Sequence, residues 1–449
     1  MMTNPNLPPL PVSLSEALRY WLKLGFISFG GPAGQISMMH QELVERRRWI
    51  SERRFLHALN YCMLLPGPEA IQLAIYIGWL MHGVIGGIIA GLLFFLPSFV
   101  LLTLLSWIYL AFGSVPLVAG ILYGIKPAVT AIVVFAAYRI GSRTLKNNVL
   151  LVIAGAAFVA IFVFDTPFPA IVLAATLTGA IGGKFAPDKF KAGGHDGADK
   201  SFGAALIDDH TPTPQHARFS RVRLSLFLLI GGGLGALVLA ALILHSGWDG
   251  TLAQTGWFFT KAAFLTFGGA YAVLPYVYQG AVEHYGWLSG PQMIDGLALG
   301  ETTPGPLIMV VTFVGFIGGW SKQIFGADAL FMAGLAGGAV ATFFTFLPSF
   351  LFILVGGPVI EATHGEIKYT APLTAITAAV VGVILNLALF FAWHVLWPQG
   401  TPDLPFAGRF EWFSALLSAV AFAALFRFKF GIIPVIGASA LLGLVYSLI

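Results

Sequence analysis

Two tripeptides, Pro66-Gly67-Pro68 and Pro304-Gly305-Pro306, stand 238 residues apart, and each precedes an apolar run. Proline is favoured in the first turn of a helix, and glycine lets a guest come close to the main chain. A helix that starts at such a turn presents unpaired N–H groups and the positive end of its dipole, which together suit an oxyanion. Phe29-Gly30-Gly31 and Phe267-Gly268-Gly269, also 238 apart, offer the same close approach. Charged residues lie near these motifs. Lys23 and Lys261 precede the two Phe-Gly-Gly motifs by six residues, and Lys126 interrupts an otherwise apolar stretch at Gly124-Ile125-Lys126-Pro127. Two helix starts carry roughly half a charge each, so a dianion needs more, and the lysines are expected to supply it unless they snorkel to an interface. Glu69 follows the first Pro-Gly-Pro, and Glu301 precedes the second by three residues. A buried carboxylate of raised pKa can take up a proton and couple it to transport, and a carboxylate at a helix start is also favourable without any such role.

The elements that position these motifs belong to a membrane. The chain is 57% hydrophobic and 10% charged, where a soluble domain carries roughly a quarter charged residues. Apolar runs cover 84–110, 117–138, 149–164, 171–183, 224–244, 330–355 and 371–397, several reaching the roughly 20 residues that cross a bilayer as a helix. With 53 glycines and 26 prolines, broken helices are expected wherever neighbours or a wet cavity satisfy the freed backbone. The expected fold is an all-α polytopic membrane protein of two inverted-topology repeats with re-entrant or broken helices.

The repeat is visible directly. At the 238 offset Lys23 matches Lys261, Phe26 matches Phe264, and Trp49 with Ser51 matches Trp287 with Ser289; at 251, Leu96-Pro97-Ser98-Phe99 matches Leu347-Pro348-Ser349-Phe350. An insertion of ~13 residues near 321–330 accounts for the change of offset. Lys and Arg mark cytoplasmic loops, and the halves differ there. Arg46, Arg47, Arg48, Arg53 and Arg54 crowd one first-half loop, whereas no Lys or Arg lies between Lys261 and Lys322; Arg139, Arg143 and Lys146 close a helix whose counterpart offers only His394. Equivalent loops are therefore expected on opposite faces.

This gives an N-terminal tail at 1–13, a first repeat at 14–184, a cytoplasmic linker at 185–223, a linking helix at 224–246 and an inverted second repeat at 252–449. The linker, with Gly193-Gly194 and Thr211-Pro212-Thr213-Pro214, reads as flexible, and its His195, Asp196 and Asp199 as solvated residues. Segments 15–41 and 53–82 begin and end on the cytoplasmic side with arms too short to cross roughly 30 Å, so they read as re-entrant hairpins. Four hairpins and nine spans put the N-terminus inside and the C-terminus outside; 13 spans is the alternative count. The tail 1–11 lacks the basic and apolar regions of a signal peptide and is expected to remain. One cysteine, Cys62, excludes an intrachain disulfide and a CxxC centre. No HExxH, GxSxG or aspartate-rich pair supports an enzyme acting on lipid, so no catalytic residue, metal or cofactor is expected.

The motifs Phe29-Gly30-Gly31-Pro32-Ala33-Gly34-Gln35-Ile36, Leu65-Pro66-Gly67-Pro68-Glu69-Ala70-Ile71-Gln72-Leu73-Ala74, Phe267-Gly268-Gly269-Ala270-Tyr271 and Thr303-Pro304-Gly305-Pro306 closely resemble the chromate ion transporter family in its long, two-domain form. The resemblance runs over about residues 14–446 and adds Gln72 to the expected substrate-binding set. It implies chromate export from the bacterial cytoplasm across the inner membrane, driven by the proton gradient or the membrane potential, and hence chromate resistance. Sulfate or another oxyanion remains an alternative cargo, because its charge and shape are so close. The expected partners are the oxyanion and the lipid bilayer, without nucleic acid, and a homodimer stays open.

Overall fold

The computed structural model describes residues 9–29, 31–190, 202–267, 269–362, 370–401 and 404–448. Gly30, Gly268, His195, Asp196 and Asp199 lie outside the described residues. Among those described there is no strand, only an isolated bridge between Ile50 and Ile207. The first half runs α1 (Leu14–Ile27), α2 (Gly31–His40) with a π turn (Gln41–Arg46), α3 (Glu52–Cys62), α4 (Glu69–Phe112), α5 (Pro116–Thr144), α6 (Asn148–Phe164) and α7 (Phe168–Phe185). After a linking helix α8 (Arg221–Ser246) come α9 (Thr251–Leu265), α10 (Ala270–Tyr278) with a π turn (Gln279–His284), and α11 (Gly290–Thr302). A 3-10 turn (Leu307–Met309), α12 (Val310–Ser321), α13 (Leu330–Ala362), α14 (Thr370–Leu396), α15 (Trp412–Phe426) and α16 (Ile432–Ser447) complete the chain.

The elements recur in the same order, and the repeated residues show why. Trp49 and Trp287 are 2% and 1% exposed, and their N–H groups donate to Leu43 O and Ala281 O, closing the two π turns identically. Two residues on, Ser51 caps α3 by accepting the N–H of Arg54, and Ser289 caps α11 in a capping box with Gln292. The insertion falls where α4 only kinks, at His82 and Gly83, while the second half breaks into α12 and α13 across a loop at 322–329. Arg47, just beyond the first π turn, donates to Glu42 within it and holds that carboxyl below its ordinary range.

Among the described residues six helices are long and apolar enough to cross a bilayer: α4, α5, α7, α8, the Ala327–Pro358 stretch and α14. The chain is a multi-pass membrane protein. Three more of the nine expected spans, α6, α15 and α16, have only 17, 15 and 16 residues; α6 is stopped by Asp165 in the left-handed region. Helix α8 buries a single residue, Gly235, and leaves Leu229 73% and Leu244 88% exposed, as befits a helix on the lipid-facing perimeter.

The described part of the linker, read from its composition as flexible, is docked. Leu206 and Ile207 donate to Arg48 O and Trp49 O, and Ser51 N–H donates to Ile207 O. Apolar Ile207 and Ala217, buried at 7% and 0% exposure, anchor a stretch whose polar composition hides them.

Candidate functional site

Each Pro-Gly-Pro tip docks on the break of the first hairpin of the other half. Gly67, at φ 120°, donates its N–H to Thr266 O over 2.7 Å, and Gly305, at φ 105°, donates to Ser28 O over 2.9 Å. A Cβ on Gly67 would lie 2.7 Å from Ser349 Oγ, and one on Gly305 2.9 Å from Ser98 Cβ. Ser98 and Ser349 are the serines of the repeated Leu-Pro-Ser-Phe motif, so again each tip meets the other half's copy. Each tip therefore packs on the equivalent elements of the other half. Pro68 caps α4 and Pro306 caps the 3-10 turn that leads into α12, so the N–H groups of both helix starts are turned to the tips.

Around this crossing the polar groups are only partly satisfied. Gln35 Nε2 donates to Gly305 O (2.6 Å) and Ser28 O (3.3 Å), and Gln72 Nε2 donates to Pro66 O (2.7 Å). Gln35 Oε1, Gln72 Oε1, Ser28 Oγ, Ser98 Oγ, Ser349 Oγ and Glu69 Oε2 are buried without a hydrogen-bond partner. Buried polar atoms are normally paired, and a helical serine or threonine ordinarily bonds back to the carbonyl four residues earlier, as Ser106, Thr130, Thr255 and Thr345 do. Six exceptions stand around this crossing, three of them serine hydroxyls that can donate to a polar guest.

The two halves also meet at Glu69. A Cβ on Gly269, which has φ 96°, would stand 3.9 Å from Glu69 Oε2 and 4.0 Å from Pro32, so the main chain of one hairpin lies against the carboxyl of the other. Glu301 accepts a hydrogen bond from Tyr271 on α10. Gly31, Pro66, Phe29, Phe267 and Pro304 flank the same breaks, with Pro304 buried.

The lysines are apart from the tips. Lys23 lies on the exposed face of α1 with Leu22 and Phe26. Its spacing from Phe29 fixes depth along the helix, and the helix phase turns it outward. Lys261 Nζ sits 5.8 Å from the centre of the Trp257 ring and lines a cavity of about 850 Å³ with Asp165, Glu283 and His284. Lys126 pairs with Asp295 Oδ2 at 3.3 Å, to which Tyr109 also donates at 3.0 Å. A second cluster joins α3 to α13: Arg54 Nη1 stands 3.6 Å from Glu361 Oε2, and Tyr76 donates to the other oxygen. Asp295 and Glu361 escaped the reading by motif; the signal that marks them is a lone acid within an apolar helical run, at Met293-Ile294-Asp295-Gly296-Leu297 and Val359-Ile360-Glu361.

Residues 15–180 and 253–444 both match the family model described as "Chromate transporter", one segment in each half of the chain. The chain belongs to the chromate transporter family. Among its relatives are a chromate transport protein of Cupriavidus metallidurans, 31% identical over 96% of this chain and 93% of the relative. One of Pseudomonas aeruginosa is 31% identical over 98% and 94%, and a probable chromate transport protein of Synechococcus elongatus 28% identical over 88% and 87%. No solved structure matches the chain. The two family segments begin within a residue or two of α1 and α9 and end in α7 and α16, so the family's unit is the repeated set of helices whose tips cross.

Proposed function

We propose that this chain carries chromate out of the bacterial cytoplasm across the inner membrane, with the anion held where the two Pro-Gly-Pro tips cross. The observation that carries the reading is the three buried serine hydroxyls without a partner, of Ser28, Ser98 and Ser349, beside two helix starts in a member of the chromate transporter family. An oxyanion leaving water loses its hydration shell, and main-chain N–H groups with serine hydroxyls replace it. Glu69 and Glu301 are the groups that take up and release a proton, which would tie anion movement to the proton gradient.

The halves are inverted in this reading. The arginine-rich loop of the first half bonds to linker residues 206–209, whereas the equivalent second-half turn bonds at Gln279 to Phe168 N and Thr166 O, at the α6–α7 turn. Asn147, at the opposite end of α6, bonds to Lys189 O where the linker begins. With the positive-inside rule, these contacts support a cytoplasmic N-terminus, a cytoplasmic linker and an outward C-terminus.

The test is uptake into inside-out membrane vesicles carrying the protein, with labelled chromate against labelled sulfate. The reading expects chromate accumulation above empty vesicles that collapses when the proton gradient and potential are dissipated. Sulfate uptake without chromate uptake would reassign the cargo, and uptake of neither would refute the transport reading.

A further inference from the structure

The repeated lysines stand apart from the tips, and each shares its helix face with an exposed phenylalanine one turn on, Phe26 for Lys23 and Phe264 for Lys261. Lys261 also lines the cavity of about 850 Å³ between α9, the second π turn and the α6–α7 turn. Gln279 accepts the N–H of Phe168 at 3.0 Å and so holds the π turn against the α6–α7 turn, where Glu283 and Asp165 line the same cavity. Among the described residues none of Lys261, Asp165 and Glu283 has an ion-pair partner within 4.0 Å. One cavity thus holds a cation and two carboxylates that do not neutralise one another, and a ligand carrying both signs satisfies them together. The wall is that of the membrane perimeter: Trp257 is 41% and Phe264 50% exposed. Lys261 Nζ reaches back toward the start of α9 to within 5.8 Å of the Trp257 ring centre, as a lysine does when it snorkels to the headgroup level that tryptophan marks. Phe264 and Leu265 line the cavity beyond that level, nearer the break of the hairpin.

We propose that this cavity seats the headgroup of a phosphoethanolamine lipid, with the phosphate on Lys261, the ammonium on Asp165 and Glu283, and the acyl chains running past Phe264 and Leu265. Charge chooses the occupant. A lipid with only a phosphate would meet Lys261 and leave two carboxylates facing an anion, and a free oxyanion would do the same. A choline headgroup carries both signs but no N–H to donate, whereas a primary ammonium brings three donors to the two carboxylates. The inference is independent of which anion crosses at the tips.

The experiment is native mass spectrometry of the purified full chain in detergent, titrated with phosphatidylethanolamine, phosphatidylglycerol or phosphatidylcholine of one acyl composition. Phosphatidylethanolamine should fill a saturable site with a Kd about tenfold below those of the other two, the difference that one charged hydrogen bond makes. Lys261→Gln and Glu283→Gln should each raise that Kd about tenfold, whereas Lys23→Gln, on the exposed face of α1, should leave it unchanged. If Lys261→Gln fails to fold, Lys261→Arg should bind near the wild-type Kd while Glu283→Gln still weakens binding. Phosphatidylglycerol or phosphatidylcholine binding as tightly as phosphatidylethanolamine overturns the proposal, as does a wild-type Kd in Glu283→Gln or in a folded Lys261→Gln. Displacement of the lipid by chromate would make the cavity an anion passage and overturn it as well.

Discussion

At Gly67 and Gly305 the backbone occupies φ values of 120° and 105°, and neither position has room for a methyl group. Gly67→Ala and Gly305→Ala should each cost about 1–3 kcal/mol from backbone strain alone and lower vesicle uptake at least tenfold, with Gly31→Ala milder because its Cβ meets nothing within 4 Å. Equal uptake in all three variants would mean that the tips do not bear on transport. Glu69→Gln should alter the pH dependence of uptake more than the anion KM, which initial rates across a pH series would test; a changed KM with an unchanged pH profile would assign Glu69 to the anion instead. The glycines were readable in the sequence because glycine next to proline has few structural reasons to recur. Ser28, Gln35, Ser98 and Ser349 were not, since the sequence position of a serine or glutamine says nothing about whether its hydrogen bonds are met. The spacing of Lys23 carried depth and lost direction, because six residues on a helix leave the face undetermined until packing sets it.

Helices α5 and α11 come from different halves and are clamped by Lys126 and Asp295. Asp295 is buried, and Lys126 retains 31% side-chain exposure, so removing one partner leaves a charge with little compensation. Lys126→Ala or Asp295→Ala should therefore lower stability by about 3 kcal/mol, at the low end for a buried pair, and the double variant should recover part of the loss. Thermal unfolding in detergent over the full double-mutant cycle measures this; additive losses would show that the two side chains stabilise the fold independently. At this scale the order of helices and the position of the insertion follow from the repeated Trp-x-Ser and Leu-Pro-Ser-Phe motifs. The docked linker did not follow, because two apolar side chains, Ile207 and Ala217, decide it within a polar, proline-rich stretch.

Across the whole molecule, the reciprocal bonds from Gly67 to Thr266 and from Gly305 to Ser28 make one crossing out of two copies of a hairpin pair. A transporter gains from opposite orientation because the same rocking motion then opens the crossing to one side and closes it to the other. The central claim is that the equivalent loops of the two halves face opposite sides of the membrane. Arg46 and His284 are exposed and stand 238 residues apart, so they are equivalent positions. In a Cys62→Ser background, single cysteines at each should be labelled by a membrane-impermeant maleimide in intact cells and in inside-out vesicles. The account predicts that Arg46→Cys reacts only in inside-out vesicles and His284→Cys only in intact cells, and labelling of both from the same face would contradict it.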